Sequence, residues 1–247
     1  MSYQQFAYLY DRLMDDVPYD KWVELLLAAR QEYNIKGSNL LDLACGTGEL
    51  SVRLAQKGFA VTGADISSDM LSVAQNKAAE HNLSVFFMEK DMSELEDLPL
   101  FDFIGIFCDS LNYLQTEEQV VNTFKGVYEH LDDGGLFMFD VHSLYKMNHL
   151  FQNQTYALND EDVSLIWLCY EGEHPNSVEH DLSFFHLDES TQQYNRYDEL
   201  HFQRTFSIEQ YSSWLKSAGF SIQKVTADFQ NGEIKEDAER IFFYCMK

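Results

Sequence analysis

Positive charge is what this chain has least of: 17 Lys plus Arg stand against 41 Asp plus Glu, a formal charge of -24 over 247 residues. Such a surface repels phosphate backbones and anionic headgroups, and no run of Lys or Arg supplies a local basic groove. Nucleic acid and membrane surfaces are therefore not expected partners. Cysteine is scarce too. Cys45, Cys108, Cys169 and Cys245 are scattered, with no CxxC pair and no ligand cluster with His, so reduced, buried thiols are expected and neither a disulfide framework nor a metal site. Long apolar runs are missing: stretches such as Phe103 to Cys108 are far too short to cross a bilayer. The opening MSYQQFAYLYDRLMDD has neither the basic start nor the apolar core of a signal peptide, and a cytoplasmic location is expected.

What is present is core-forming material. Hydrophobic residues make up 45% and aromatics 15%, enough to bury a substantial interior in one domain with an insertion. Residues 2 to 36 carry Phe6, Leu9, Leu13, Trp22, Leu25 and Leu26 at helical spacing with a break at Pro18, which predicts two helices. Short apolar runs then alternate with amphipathic segments, the pattern of a parallel α/β sheet. Strands are expected at Asn39 to Ala44, Phe59 to Asp65, Ser84 to Glu89, Phe101 to Phe107 and Leu136 to Val141. Helices fall near 48 to 57, 68 to 81 and 117 to 131, the last opened by a Thr116/Gln119 capping box. From Phe151 to Phe206 the period becomes two, predicting an inserted antiparallel sheet. A helix from Ser207 to Ala218, capped by Ser207 and Gln210 and stopped by Gly219, precedes two final strands near Phe220 to Phe229 and Arg240 to Met246.

The strongest local signal is Leu40-Leu41-Asp42-Leu43-Ala44-Cys45-Gly46-Thr47-Gly48-Glu49-Leu50, an apolar strand running into a Gly-x-Gly turn that opens a helix. Small residues let a ligand approach the backbone, and in a parallel sheet this turn lies at the carboxyl end of the first strand, where ligands bind. The second strand closes on Asp65, 17 residues past Gly48, where a carboxylate can accept both ribose hydroxyls of an adenosine group. A helix cap for the Ser67-Ser68 segment is the alternative use of Asp65.

Taken together, these motifs resemble the class I S-adenosylmethionine-dependent methyltransferases. The likeness continues through Lys90-Asp91-Met92, Phe107-Cys108-Asp109-Ser110-Leu111-Asn112, the Leu131 to Phe137 turn and the terminal hairpin, spanning residues 38 to 145 and 207 to 247. The resemblance implies a Rossmann-like seven-stranded sheet with helices on both faces plus the inserted antiparallel sheet. It also implies a helical lid over 1–37, a methyltransferase domain over 38–150 and 207–247, and an insertion over 151–206 that roofs the acceptor or builds a homodimer contact. The cofactor would be S-adenosylmethionine, with S-adenosylhomocysteine as product. Gly46 and Gly48 would admit it, Asp65 would hold the ribose, Asp91 and Met92 would bound the adenine, and Ala44, Ile66 and Met70 would line the same cleft. Asp42 would order the loop or meet the amino-acid end, Asp109 would lie nearest the amino group or sulfonium, and Tyr10 of the lid could contact the methionine end.

Methyl transfer is an in-line displacement that chiefly needs alignment and exclusion of water. A base helps when the acceptor is a protonated amine or a hydroxyl, and His142, just past the fifth strand, is the candidate, with Asn112 and Tyr113 as candidate acceptor contacts. Insertions of this kind in glycine-type and amino-sugar N-methyltransferases point to a small-molecule amine acceptor. A protein acceptor, and a non-catalytic cofactor sensor, stay open. A dehydrogenase does not fit, because the third glycine of its fingerprint is Ser51 here.

Overall fold

The computed structural model describes residues 17–188 and 190–247. The first strand shows why the chain builds a covered sheet. In β1 (Asn39–Leu43) every residue after Asn39 is buried. Successive side chains of a strand point to opposite faces. Leu40 accordingly joins one apolar cluster with Trp22, Leu26, Leu50 and Phe103, whereas Leu41 and Leu43 join another with Ile104, Phe124, Phe139 and Tyr211. A strand buried on both of its faces, as Leu40 to Leu43 is, needs helices on both sides of the sheet.

Those helices are α1 (Tyr19–Glu32), α2 (Glu49–Gln56), α3 (Ser68–Glu80), α4 (Glu117–His130) and α5 (Ile208–Ala218). They flank β1, β2 (Ala60–Asp65), β3 (Phe86–Glu89), β4 (Phe101–Ile106) and β5 (Leu131–His142), all mutually parallel. After the inserted strands β6 to β9, β10 (Ser221–Ala227) and β11 (Arg240–Met246) complete the order β10-β11-β5-β4-β1-β2-β3, β11 running antiparallel to both neighbours. This is the expected seven-stranded Rossmann-like sheet. Strand order reverses between β1 and β4, so the loops leaving their carboxyl ends diverge and open a crevice.

Both expected capping boxes form, Thr116 with Gln119 and Ser207 with Gln210, and Gly219 ends α5 in the left-handed conformation at φ +110°. Two boundaries differ from expectation. Of the two helices predicted before the sheet, α1 is the second, starting after Pro18; the first falls outside the described residues. β5 begins at Leu131 rather than Leu136, because Leu131 already pairs with Phe101 before the register shifts; Gly134, at φ +77°, turns the exposed backbone there.

Beyond β5 a π-helical turn (Lys146–Phe151) leads into the insertion: β6 (Thr155–Asn159), β7 (Val163–Glu171), β8 (Ser177–Asp188) and β9 (Gln193–Arg204), an antiparallel meander. Its register places Cys169, His180 and His201 in one cross-strand row and Trp167, Leu182 and Glu199 in the next. This face lies over the crevice. No helix among the described residues is long and apolar enough to cross a membrane.

Candidate functional site

The glycine loop and the end of β2 form one wall of a cleft of about 440 Å³. Ala44 and Gly46 adopt φ values of +60° and +53°, turning the loop back on itself. A Cβ built on Gly46 would meet nothing within 4 Å, so this glycine borders open space. Asp65 secures the turn: its Oδ2 accepts the Gly46 N–H at 2.8 Å and its Oδ1 the Ser67 N–H at 2.9 Å. Each oxygen keeps capacity for a further donor. Burial raises the Asp65 pKa, and the backbone N–H bonds offset part of that rise. Ile66, 67% exposed, stands beside it, and Met70 and Met92 add apolar wall. Asp91 lines the cleft while its Oδ1 accepts from Ser93 N–H and Oγ, both at 2.8 Å.

Ala44, Gly46, Asp65, Ile66, Met70, Asp91 and Met92 are thus gathered around one space. Two other expected residues face elsewhere. Gly48, at φ +75°, packs against α3: a Cβ there would stand 2.7 Å from Ala74 Cβ. Its smallness serves helix packing. Asp42 is buried on β1 between Gly63 and Gly105 of the flanking strands, and accepts the Ser51 hydroxyl at 2.5 Å. Of its two suggested uses, this geometry matches ordering of the loop and the helix it opens. Tyr10 lies outside the described residues.

A second cavity of about 430 Å³ lies under the inserted sheet. Tyr113 and His201 line both spaces, with Tyr113 Oη 3.2 Å from His201 Nδ1, so the two cavities meet at this pair. Phe151, Tyr156, Trp167 and Phe184 give the second cavity an aromatic wall. Asp109 and His142 lie in its floor and do not line the first cleft.

Alternation along the strands explains how the floor is built. On β5, Leu136 and Met138 face the α1 side, and Asp140 and His142 continue that row; on β11, Phe242 and Tyr244 do, and Arg240 joins them. Arg240 sits opposite His142 in the register and donates to Asp140 Oδ2 and, at 2.7 Å, to Asp109 Oδ1. Asp140 also accepts Trp22 Nε1 at 2.7 Å and the backbone N–H groups of Cys108 and Asp109 at 3.0 Å. Those two residues hold φ values of +54° and +55°, and such consecutive left-handed residues persist only where the surroundings fix them.

Asp109 Oδ2 receives His142 Nε2 at 3.1 Å and Gln203 Nε2 at 3.0 Å. Burial opposes its charge, but His142 and Arg240 outweigh that and hold its carboxyl well below the usual range. Burial lowers the pKa of His142, with Asp109 offsetting part of the fall. A carboxylate only accepts, so Nε2 carries the proton and Nδ1 the lone pair. That buried Nδ1 has no hydrogen-bond partner among the described residues. Burial likewise depresses His201, and His180 to about 4.

Arg240, Asp140, Gln203, His180 and His201 escaped the sequence reading. Asp140 alone left a trace, an acid inside the apolar run Leu136 to Val141.

The first cleft suits an adenosine cofactor by its own chemistry: an open glycine backbone, a carboxylate with acceptor capacity and an apolar slot beside it. Comparison with known proteins agrees. The methyltransferase domain family matches residues 40–135. A provisionally named methyltransferase of Geobacillus sp. (strain WCH70) is 48% identical over 248 residues, covering 100% of both chains. The structure of an S-adenosylmethionine-dependent methyltransferase from Clostridium acetobutylicum ATCC 824 superposes with a TM-score of 0.90 at 32% identity, over 99% of this chain and 98% of that one. A sugar N-methyltransferase of Streptoalloteichus sp ATCC 53650 shares the fold, with a TM-score of 0.77 at 17% identity over 96% and 91% of the two chains. The chain belongs to the class I S-adenosylmethionine-dependent methyltransferases, enzymes that use this cofactor as methyl donor.

Proposed function

We propose that this enzyme methylates the nitrogen of a small-molecule amine. The observation that carries the proposal is the junction at Tyr113 and His201, where the cofactor cleft opens into a cavity floored by His142 and Asp109. A volume of about 430 Å³ suits a metabolite-sized acceptor rather than a polymer. The shared fold with a sugar N-methyltransferase is consistent with an amine.

The cofactor supplies an electrophilic methyl group on a sulfonium, and every other requirement falls to the protein. Asp65 and the Gly46 turn hold the adenosine end, and the inserted sheet excludes water from the acceptor. Nitrogen must lose a proton to expose its lone pair. His142 is neutral and borders the acceptor cavity, so it takes that proton on Nδ1 once the acceptor displaces the packing that covers this atom, while Asp109 holds the ring through Nε2 and stabilises the imidazolium. The nitrogen lone pair so exposed would accept the methyl group of the bound cofactor. A hydroxyl would have to approach an alkoxide, a far harder deprotonation for so weak a base, which favours nitrogen. Asp109, being offset by Arg240, orients this base rather than attracting the cationic donor.

Methyl-labelled cofactor incubated with pooled small amines, alcohols and proteins tests the proposal. Label is expected in an amine, with His142→Ala lowering kcat by roughly 10²-fold at unchanged cofactor affinity. Label confined to protein or to an alcohol would refute the acceptor class, and full turnover in the variant would remove His142 from the chemistry.

A further inference from the structure

Asp109 is held from a direction that methyl transfer alone does not require. Its Oδ2 is shared between His142 and Gln203, and Gln203 belongs to β9 of the inserted sheet. The Gln203 side chain cannot turn over. Its Oε1 lies 3.2 Å from His180 Nε2, and His180 Nδ1 receives the Trp167 indole N–H at 3.0 Å. An indole nitrogen only donates, so Nδ1 accepts, Nε2 carries the proton of a neutral ring, and Gln203 must present oxygen to His180 and its amino group to Asp109. Flipping the amide would set oxygen against carboxylate and N–H against N–H. The tautomer of His180 is thereby fixed by Trp167, and the amide of Gln203 by His180. Three successive strands each contribute one member of this chain, β7 Trp167, β8 His180 and β9 Gln203, and both His180 and Gln203 are buried.

We propose that Gln203 is a positioning residue for the His142–Asp109 pair, through which the inserted sheet sets the strength of the base. The proposal rests on the assignment of His142 as that base. The physical reason is competition at one oxygen. A second N–H on Asp109 Oδ2 draws electron density from the acceptor of the His142 N–H, weakening the bond that would otherwise favour imidazolium. The charged groups facing His142 are Arg240 on β11 and Lys146 on the π-helical turn, which disfavour its protonation, and Asp109 on the loop after β4, which favours it; His180 on β8 is a neutral ring. Gln203 is neutral too, and it shifts the balance without adding charge. The insertion is then part of the catalytic apparatus as well as the cover of the acceptor.

Imidazole nitrogen NMR of the ligand-free protein, titrated with acid, tests this without any acceptor. In Gln203→Met, which keeps length and removes the donor, the His142 midpoint is expected to rise by about half to one pH unit with Nε2 still protonated. The acid limb of kcat should move upward by the same amount. Unaltered cofactor affinity certifies that the variant is folded, since Gln203 does not line that cleft. Should Gln203→Met not fold, Trp167→Phe combined with Cys169→Ala removes both groups that meet His180 Nδ1, releases the tautomer from the far end and should move the His142 midpoint in the same direction by less. A His142 midpoint that stays put in a folded variant overturns the positioning role. A midpoint that moves while the kcat limb does not would uphold the positioning and remove His142 as the base, so the two assignments fail separately.

Discussion

Asp42→Asn is expected to stabilise the ligand-free protein, and chiefly on the alkaline side. Asp42 is 2% exposed, and its side-chain partner is the Ser51 hydroxyl. Burial raises its pKa from 3.8 to about 6, with the Ser51 bond offsetting part of the effect. The folded value lies above the unfolded one, so the stability this group contributes is complete below the unfolded pKa and is lost as pH rises through about 6. A gap of about two pH units at 1.36 kcal/mol per unit makes the ionised carboxylate cost up to about 3 kcal/mol. Asparagine keeps a carbonyl to accept from Ser51 and never ionises. Urea unfolding of both proteins, at about pH 4 and about pH 8, should give the variant an advantage under about 1 kcal/mol in acid and up to about 3 kcal/mol in base. Titrating groups distant from Asp42 are common to the two proteins and cancel in the difference, whereas Asp65 and Cys45 are coupled to it and do not cancel fully. A variant advantage that is equal at both pH values, or a loss of stability at the higher one, would refute the raised pKa of buried Asp42.

Asp65→Ala should weaken S-adenosylmethionine binding by about 1–3 kcal/mol, measured by calorimetric titration; an unchanged affinity contradicts the ribose role. Binding needs the ionised carboxylate, whose pKa burial raises, so wild-type affinity should decline on acidification from a higher pH than for an ordinary aspartate. Asp140→Asn turns an amide N–H toward Arg240 and the Asp109 backbone, and should cost about 3–5 kcal/mol, read as a thermal midpoint lowered by roughly 10 °C; a loss below about 1 kcal/mol would show that the hub contributes little. Gly48→Ala, meeting Ala74, should lose about 2 kcal/mol of stability and retain cofactor affinity, whereas Gly46→Ala should chiefly lose affinity. The reverse pattern in calorimetry and melting would misplace both glycines.

The sheet was legible because its signals are contiguous. Leu40 to Leu43 announces burial on both faces, Thr116 and Gln119 announce a helix start, and the glycine turn with Asp65 lies within a single β-α-β unit. Gly48 shows where such reading stops, since close approach of a ligand and close approach of a helix demand the same small residue, and only the direction of the absent Cβ separates them. The floor of the second cavity was illegible for a different reason. Arg240 is 100 residues from Asp140 and 131 from Asp109, and no local period links them. His201 belongs to an alternating strand whose period fixes its face, yet nothing in that period says the sheet folds onto Tyr113.

The place of β11 between β10 and β5 has a consequence for how the enzyme comes into being. In a chain folded only through β5 the glycine turn and Asp65 would be in place, while Asp109 and Asp140 would face each other without the countercharge that Arg240 supplies. That countercharge arrives on the strand that closes the sheet. The acceptor chamber is therefore finished in the same event that finishes the interior, and methyl transfer becomes a report that folding has gone to completion.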